Sequence, residues 1–252
     1  MSGVILIGSD IMAQILALVL ANRQVPVALL QRPRSDSSFV PLSCCQEMEK
    51  HWPWLSQIDK VESERIGANR EEIPAWLHAI PSSINHHPLI QNFTYDSILN
   101  FFDHIRGVEL RYLTGTACHQ VQGQWLLAMD GPTSEIRRLL QVDTYYPLRT
   151  RTRTRTRTRT AAPQAYASQY FAFGHILLAG QAAHQFYHPL DWQLWLDDIL
   201  AIEEHLRQAF LQAEKGICSY ERSRQESQER LSRMLRQERN LWPQPKSWPT
   251  SL

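Results

Sequence analysis

Val4-Ile5-Leu6-Ile7 is an unbroken apolar run that stops at Gly8, and Ile11 to Asn22 follows with apolar residues at helical spacing. A short run without polar alternation suits a strand covered on both faces, which a parallel sheet provides. A second run, Val27-Ala28-Leu29-Leu30, starts after Pro26, where a missing N–H does least damage to a ladder, and ends at Gln31-Arg32. The opening 32 residues therefore predict a strand-helix-strand unit. That unit commits the chain to an α/β architecture.

The rest of the composition narrows the class. With 252 residues and 43% hydrophobic content, the chain can bury the core of one sizeable domain or two small ones. The net charge of +1 gives no overall pull toward nucleic acid or an anionic surface, but six arginines alternate with threonine from Arg149 to Arg159. Without that run the chain stands at −5, so any basic contact must be local. Cys44, Cys45, Cys118 and Cys218 lack CxxC spacing, which argues against a disulfide framework or a zinc knuckle. MSGVILIG has no basic region, and Ile11 to Ala21 is interrupted by Gln14 and too short to span a bilayer. A reduced, cytoplasmic protein without signal peptide or transmembrane segment is expected, so a membrane role would be peripheral association.

Further along, Cys44 to Leu55 fits a helix, Pro74 to Pro88 reads as connection, and Tyr95 to Ile105 carries apolar residues at helical spacing. Val108 to Tyr112 and Gln124 to Met129 read as strands. The Arg-Thr run is low in complexity and flanked by Pro147 and Pro163, as a linker or insertion would be. His175 to Ala179 predicts a buried strand ending at Gly180, and Ile199 to Tyr220 a long amphipathic helix. The expected organisation is a first part over 1–145, a linker over 146–164, a second part with its long helix over 165–240, and an irregular tail over 241–252.

A strand that ends in a glycine turn and feeds a helix N-terminus is where backbone N–H groups and the helix dipole hold a pyrophosphate. The full fingerprint is GxGxxG with an acidic residue roughly 20 positions on for the ribose. The corresponding residues are Gly8, Asp10 and Ala13, with Gln31 at the ribose position and Arg32 beside it. Ala13 is compatible with close packing. Asp10 puts a carboxylate where phosphate should approach backbone.

Two further segments carry a family resemblance. Asp130-Gly131-Pro132-Thr133-Ser134-Glu135-Ile136-Arg137 resembles the DGxxSxxR motif of the flavin-dependent aromatic hydroxylases of the para-hydroxybenzoate hydroxylase type. Ile176 to His184, with His188-Pro189 after it, resembles their LxGDAAHxxxP motif, and the amide Gln181 at the Asp position is most similar to the ubiquinone-biosynthesis hydroxylases. Leu89 to Asn92 resembles the segment before the family's second helix, and Tyr220-Glu221-Arg222 resembles its Y-E-x-x-R. The resemblance implies a three-layer, glutathione-reductase-type FAD-binding Rossmann-like fold, with FAD contacts from Gly8, Ala13, Gln31, Arg32, Asp130, Gly180, Gln181, His188 and Pro189. It also implies NAD(P)H as electron donor for hydroxylation of an aromatic ring.

The departures shape the functional expectation. Val142 to Tyr170 stands where the family carries a long β-rich substrate region, and Trp192 and Leu194 replace glycines of the loop that approaches the flavin. A reduced substrate region, weakened FAD binding and doubtful turnover are expected, with no catalytic residue assigned. The alternative is a non-catalytic scaffold associating with a full-length relative or a quinone-pathway protein. For Asp130 a helix-capping role competes with the ribityl contact, and for Arg137 and Arg138 an exposed helical position competes with a pyrophosphate contact. His184, His188 and Asp191 have spacing a metal could use, but both histidines belong to the flavin motif, so no metal is expected. Nothing aromatic interleaves the Arg-Thr run, and nucleic acid is not an expected partner.

Overall fold

The computed structural model describes residues 2–33, 42–60, 74–145, 166–186, 191–211, 220–230 and 233. In chain order it contains β1 (Ser2–Ile7), α1 (Ile11–Asn22), β2 (Val27–Gln31), α2 (Leu42–His51), a 3-10 segment (Pro53–Lys60) and α3 (Ala75–His86). Four strands follow: β3 (Ile90–Thr94), β4 (Ser97–His104), β5 (Gly107–Thr114) and β6 (Ala117–Ala128). Then come α4 (Glu135–Leu139), β7 (Thr144–Tyr145), β8 (Tyr166–Ser168), β9 (Ala172–Phe173), β10 (Ile176–Leu178), α5 (Gly180–Ala183), β11 (His184–Gln185) and α6 (Asp191–Leu211).

The central sheet has the order β3-β2-β1-β6-β10-β9, parallel from β3 to β10, with β9 antiparallel at the edge. Val4 to Ile7, Val27 to Leu30 and Leu126 to Ala128 are all fully or nearly fully buried, as the continuous apolar runs require. Helix α1 is buried almost all round because it lies between the sheet and the outer helices α3 and α6. β1 sits between β2, which it reaches through α1, and β6, which arrives much later in the chain. Strand order therefore reverses at β1, and the carboxyl ends of β1, β2, β6 and β10 lie together at that switch point, the position of the ligand crevice in open α/β sheets.

Strand β6 does double duty. Its residues from Gly123 onward pair with β1, whereas Ala117 to Gly123 pair with β5 in an antiparallel meander that continues to β4. A small second sheet, β7-β8-β11, lies beside it.

Three expectations are corrected. Tyr95 to Ile105 is not helical: β4 occupies Ser97–His104, with Ile98 buried but Leu99 and Phe102 exposed at 43% and 39% and Ile105 at 98%. The helical spacing of those residues was coincidental, since most of them do not face one core. Pro74 to Pro88 is not plain connection but contains α3, whose buried Trp76, Ala79, Ile80 and Ile84 form an apolar face despite Pro81. The late helix begins earlier than Ile199, at Asp191; α6 is described to Leu211, residues 212–219 lie outside the described residues, and 220–230 are helical. The Arg-Thr run, the tail over 241–252, His188 and Pro189 also lie outside the described residues. No described helix is long and apolar enough to cross a membrane.

Candidate functional site

The crevice is built from three turns that follow β1, β6 and β10. The first begins at Gly8, whose N–H donates to the Leu30 carbonyl at 3.0 Å. A Cβ on Gly8 would lie 2.6 Å from the Ala13 Cβ and 3.0 Å from the Met129 carbonyl oxygen, so glycine here lets α1 and β6 close onto β1. Ser9 ties this turn to the end of β2, its Oγ accepting from the Arg32 N–H at 2.7 Å.

Asp10 is the N-cap of α1. Its backbone is extended (φ −78°, ψ 166°), and its Oδ1 accepts the Ala13 N–H at 2.8 Å. Burial of the carboxyl pushes its pKa up to about 6, against the downward pull of the Ala13 and Met12 N–H groups. The carboxylate thus holds the orphan donor that a ligand phosphate uses at such a terminus.

The second turn carries Asp130 and Gly131, the latter at φ +89° with open space around it. Asp130 Oδ2 accepts from the N–H groups of Glu135 at 2.7 Å and Ile136 at 3.3 Å, and Ser134 caps α4 by accepting from the Arg137 N–H at 3.0 Å. Burial raises the Asp130 carboxyl pKa despite these bonds. Of the two roles open for Asp130, the helix-capping contact is therefore present. Arg137 donates to the carbonyls of Ala182 and Pro132, with its guanidinium 4.9 Å from the Tyr166 ring centroid. It joins the second and third turns through backbone atoms.

Arg32 is engaged as well. It forms an ion pair with Glu135 at 3.1 Å and lies 5.5 Å from the Tyr95 ring centroid, while Glu135 also accepts the Ile98 N–H at 2.9 Å. Gln31 is half-buried at the end of β2 and Gln181 half-buried in α5, and the Gln181 carbonyl accepts the Tyr166 hydroxyl.

Gly180, at φ +55°, opens the third turn. Its N–H donates to Asp198 Oδ2 of α6 at 2.6 Å, and the same oxygen meets His184 Nε2 at 2.9 Å. Arg224 from the 220–230 helix reaches Asp198 Oδ1 at 2.8 Å, with the two side chains 4% and 0% exposed. Burial would raise the Asp198 pKa, but the His184 ring, Arg224 and the Gly180 N–H outweigh it and hold the carboxyl below the usual range. Tyr220 donates to the Leu178 carbonyl at 2.9 Å, and Glu221 accepts from the N–H groups of Phe171 and Ala172. The arginine that acts with Tyr220 and Glu221 is thus Arg224; Arg222 is exposed.

Sequence reasoning brought Gly8, Asp10, Ala13, Gln31, Arg32, Asp130, Gly180 and Gln181 to this end of the sheet, and the fold places them there. It missed Tyr95, Glu135, Asp198 and Arg224. Asp198 did leave a signal, since it stands four residues from both Leu194 and Ile202 on the buried stripe of α6. Cys44 and Cys45 are buried and free, with thiol pKa values pushed up by burial to about 12 and about 11, as unreactive cysteines would be.

No protein-family model and no curated protein matches this sequence. Solved structures match the fold. CabE, an aromatic hydroxylase from angucycline biosynthesis, is 13% identical, with 93% of this chain and 67% of that chain covered and a TM-score of 0.64. OxyS, the anhydrotetracycline hydroxylase from Streptomyces rimosus, is 13% identical, with 88% and 65% covered and a TM-score of 0.65. PyrE3, the Diels-Alderase in the biosynthetic pathway of pyrroindomycins, is 15% identical, with 95% and 73% covered and a TM-score of 0.67. The chain shares the fold of these solved structures. A Diels-Alderase on the same fold shows that the fold alone does not define the reaction.

Proposed function

We propose that this protein is a flavin-hydroxylase-like protein of the ubiquinone-biosynthesis type whose FAD binding is weakened and whose turnover is lost or nearly so. FAD, where such a protein holds it, supplies oxidation-reduction chemistry that the side chains lack. The residues that support a nucleotide here are the Gly8 turn, the Asp130-Gly131 turn and the Gly180 turn, converging at the switch point. The observation that carries the weakened binding is Asp10. Its ionised carboxylate, bonded to the Ala13 N–H, does not fit beside a pyrophosphate of like charge. Arg32, which resemblance assigns to the cofactor, is paired with Glu135.

The test is the visible absorption spectrum of the purified protein at neutral pH, before and after incubation with excess FAD and removal of free ligand. The expected protein is colourless as purified and shows a flavin band only while FAD stays in large excess. A stoichiometric band that survives removal of free ligand would overturn weakened binding and call for NAD(P)H oxidation assays with quinone precursors.

A second reading is favoured by one feature of the surface. Strand β4 pairs with β5 alone among the described strands, and it shows Leu99, Phe102 and the adjacent Ile105 to solvent. An unpaired edge with exposed apolar residues is a template for association. On this reading the protein is a non-catalytic scaffold for a full-length relative or a quinone-pathway protein, and charged substitutions at Leu99 and Ile105 should abolish co-purification without unfolding the chain.

A further inference from the structure

We propose that the Asp10 carboxylate is an internal substitute for the ligand phosphate at the N-terminus of α1, so that FAD enters the crevice only when this side chain carries no charge. The proposal rests on the reading of the crevice as an FAD cleft. Its basis is geometric. The α1 helix is twelve residues long and its positive end opens at the crevice. The first-turn Ala13 N–H that would meet an anion is already bonded at 2.8 Å, and the acceptor is itself an anion. Gly8 holds the turn so tightly against Ala13 and Met129 that the backbone has little room to carry Asp10 aside.

The neighbours do not offset that charge. The elements packed against this turn bring Arg32 at the end of β2, Asp130 after β6, and Glu135 at the start of α4. Arg32 is the cation of that group, and it is matched by Glu135 and lies against Tyr95. Arg137 on α4 faces the Ala182 and Pro132 carbonyls. A dianionic pyrophosphate would therefore meet a crevice in which carboxylates outnumber the guanidinium.

The inference makes FAD binding proton-linked. Burial sets the Asp10 carboxyl at about 6, so the uncharged fraction falls about 50-fold between pH 6 and pH 8, close to tenfold per unit at the upper end. FAD affinity, read by equilibrium dialysis or quenching of flavin fluorescence, should fall by the same factor over that range. In Asp10→Asn the amide oxygen can still accept the Ala13 N–H, and asparagine is as good an N-cap as aspartate. That variant should bind FAD about 100-fold more tightly than the parent at pH 8 and about twofold more tightly at pH 6, with an affinity that no longer changes from pH 6 to pH 8. Asp10→Ser gives a second neutral cap should the amide pack poorly, and circular dichroism verifies that each variant is folded.

The outcomes separate the two ideas. If the parent protein binds FAD at pH 8 as tightly as Asp10→Asn, with no pH dependence, the carboxylate is no substitute and the proposal falls while the FAD cleft stands. If folded parent, Asp10→Asn and Asp10→Ser all fail to bind at either pH, the FAD cleft itself is refuted and the proposal with it.

Discussion

Asp198→Leu is expected to destabilise the protein by about 3–5 kcal/mol, because it strands Arg224 as a buried charge without its partner. It also leaves the Gly180 N–H and His184 Nε2 without their acceptor. For a chain of this length that corresponds to a fall in Tm of about 10 °C. Arg224→Leu should cost a similar amount. The double variant should lose less than the sum of the two, since a buried pair replaced by apolar side chains no longer carries an uncompensated charge. Arg230→Leu is the control: its partner Asp197 lies 3.4 Å away, Arg230 is 68% exposed, and its loss should stay within about 0.5 kcal/mol. Acid sharpens the comparison. Asp198 has a folded pKa held below the ordinary carboxylate value, so its contribution is complete above that ordinary value and is lost as pH falls through the folded one. The stability gap between parent and Asp198→Leu should therefore narrow in strong acid; a gap independent of pH would show that Asp198 contributes by shape alone.

The second large effect is expected at Gly8. Alanine there would press against the Ala13 Cβ and the Met129 carbonyl, both parts of rigid elements, and overpacking of this kind costs about 1–3 kcal/mol. Gly8→Ala should fall near the top of that range. Adding Ala13→Gly removes the closer of the two contacts and should recover part of the loss. Gly131→Ala provides the contrast, because nothing lies within 4 Å of the added methyl and only the positive φ of +89° opposes it, at about 1 kcal/mol. Chemical denaturation of the four proteins measures all three values. Equal losses at Gly8 and Gly131 would show that α1 can yield, and that the tight first turn is not what fixes the Asp10 carboxylate.

What could be read before the fold was known follows from where the determining forces lie. Val4 to Leu30 was legible because each run is local and buried on both faces, leaving composition and period in agreement. His175 to Ala179 and Gln124 to Met129 were legible for the same reason. The α3 helix was hidden by Pro81, whose penalty the burial of Trp76, Ile80 and Ile84 outweighs. β4 was misread because Leu99, Phe102 and Ile105 point to solvent, so the apolar count in that segment carried no core information. At the site, turn residues were recognisable from motif spacing, whereas their partners were not. Glu135 meets Arg32 across more than a hundred residues, and Asp198 meets Arg224 across 26. Nothing local announces such a pair. The same pairing explains why a motif can keep its residues yet change its use: Arg32, Asp130 and Arg137 are all present, and each is bonded within the protein.

The shared strand β6 has a consequence for how this fold can be remodelled. Gly123 is paired with Val108 on one side and Ser2 on the other, so the antiparallel meander and the central sheet have one backbone in common. The meander is therefore no detachable module: excising it, or grafting it from a relative with a different register, would break the sheet that supports the crevice. New sequence has a natural port of entry elsewhere, at the exposed turn around Gly115, which has a positive φ and no neighbour within 4 Å of an added Cβ. An epitope tag, a reporter or a whole guest domain spliced there would leave both sheets intact, which makes this hairpin tip the place to attach a probe for following the protein in a cell.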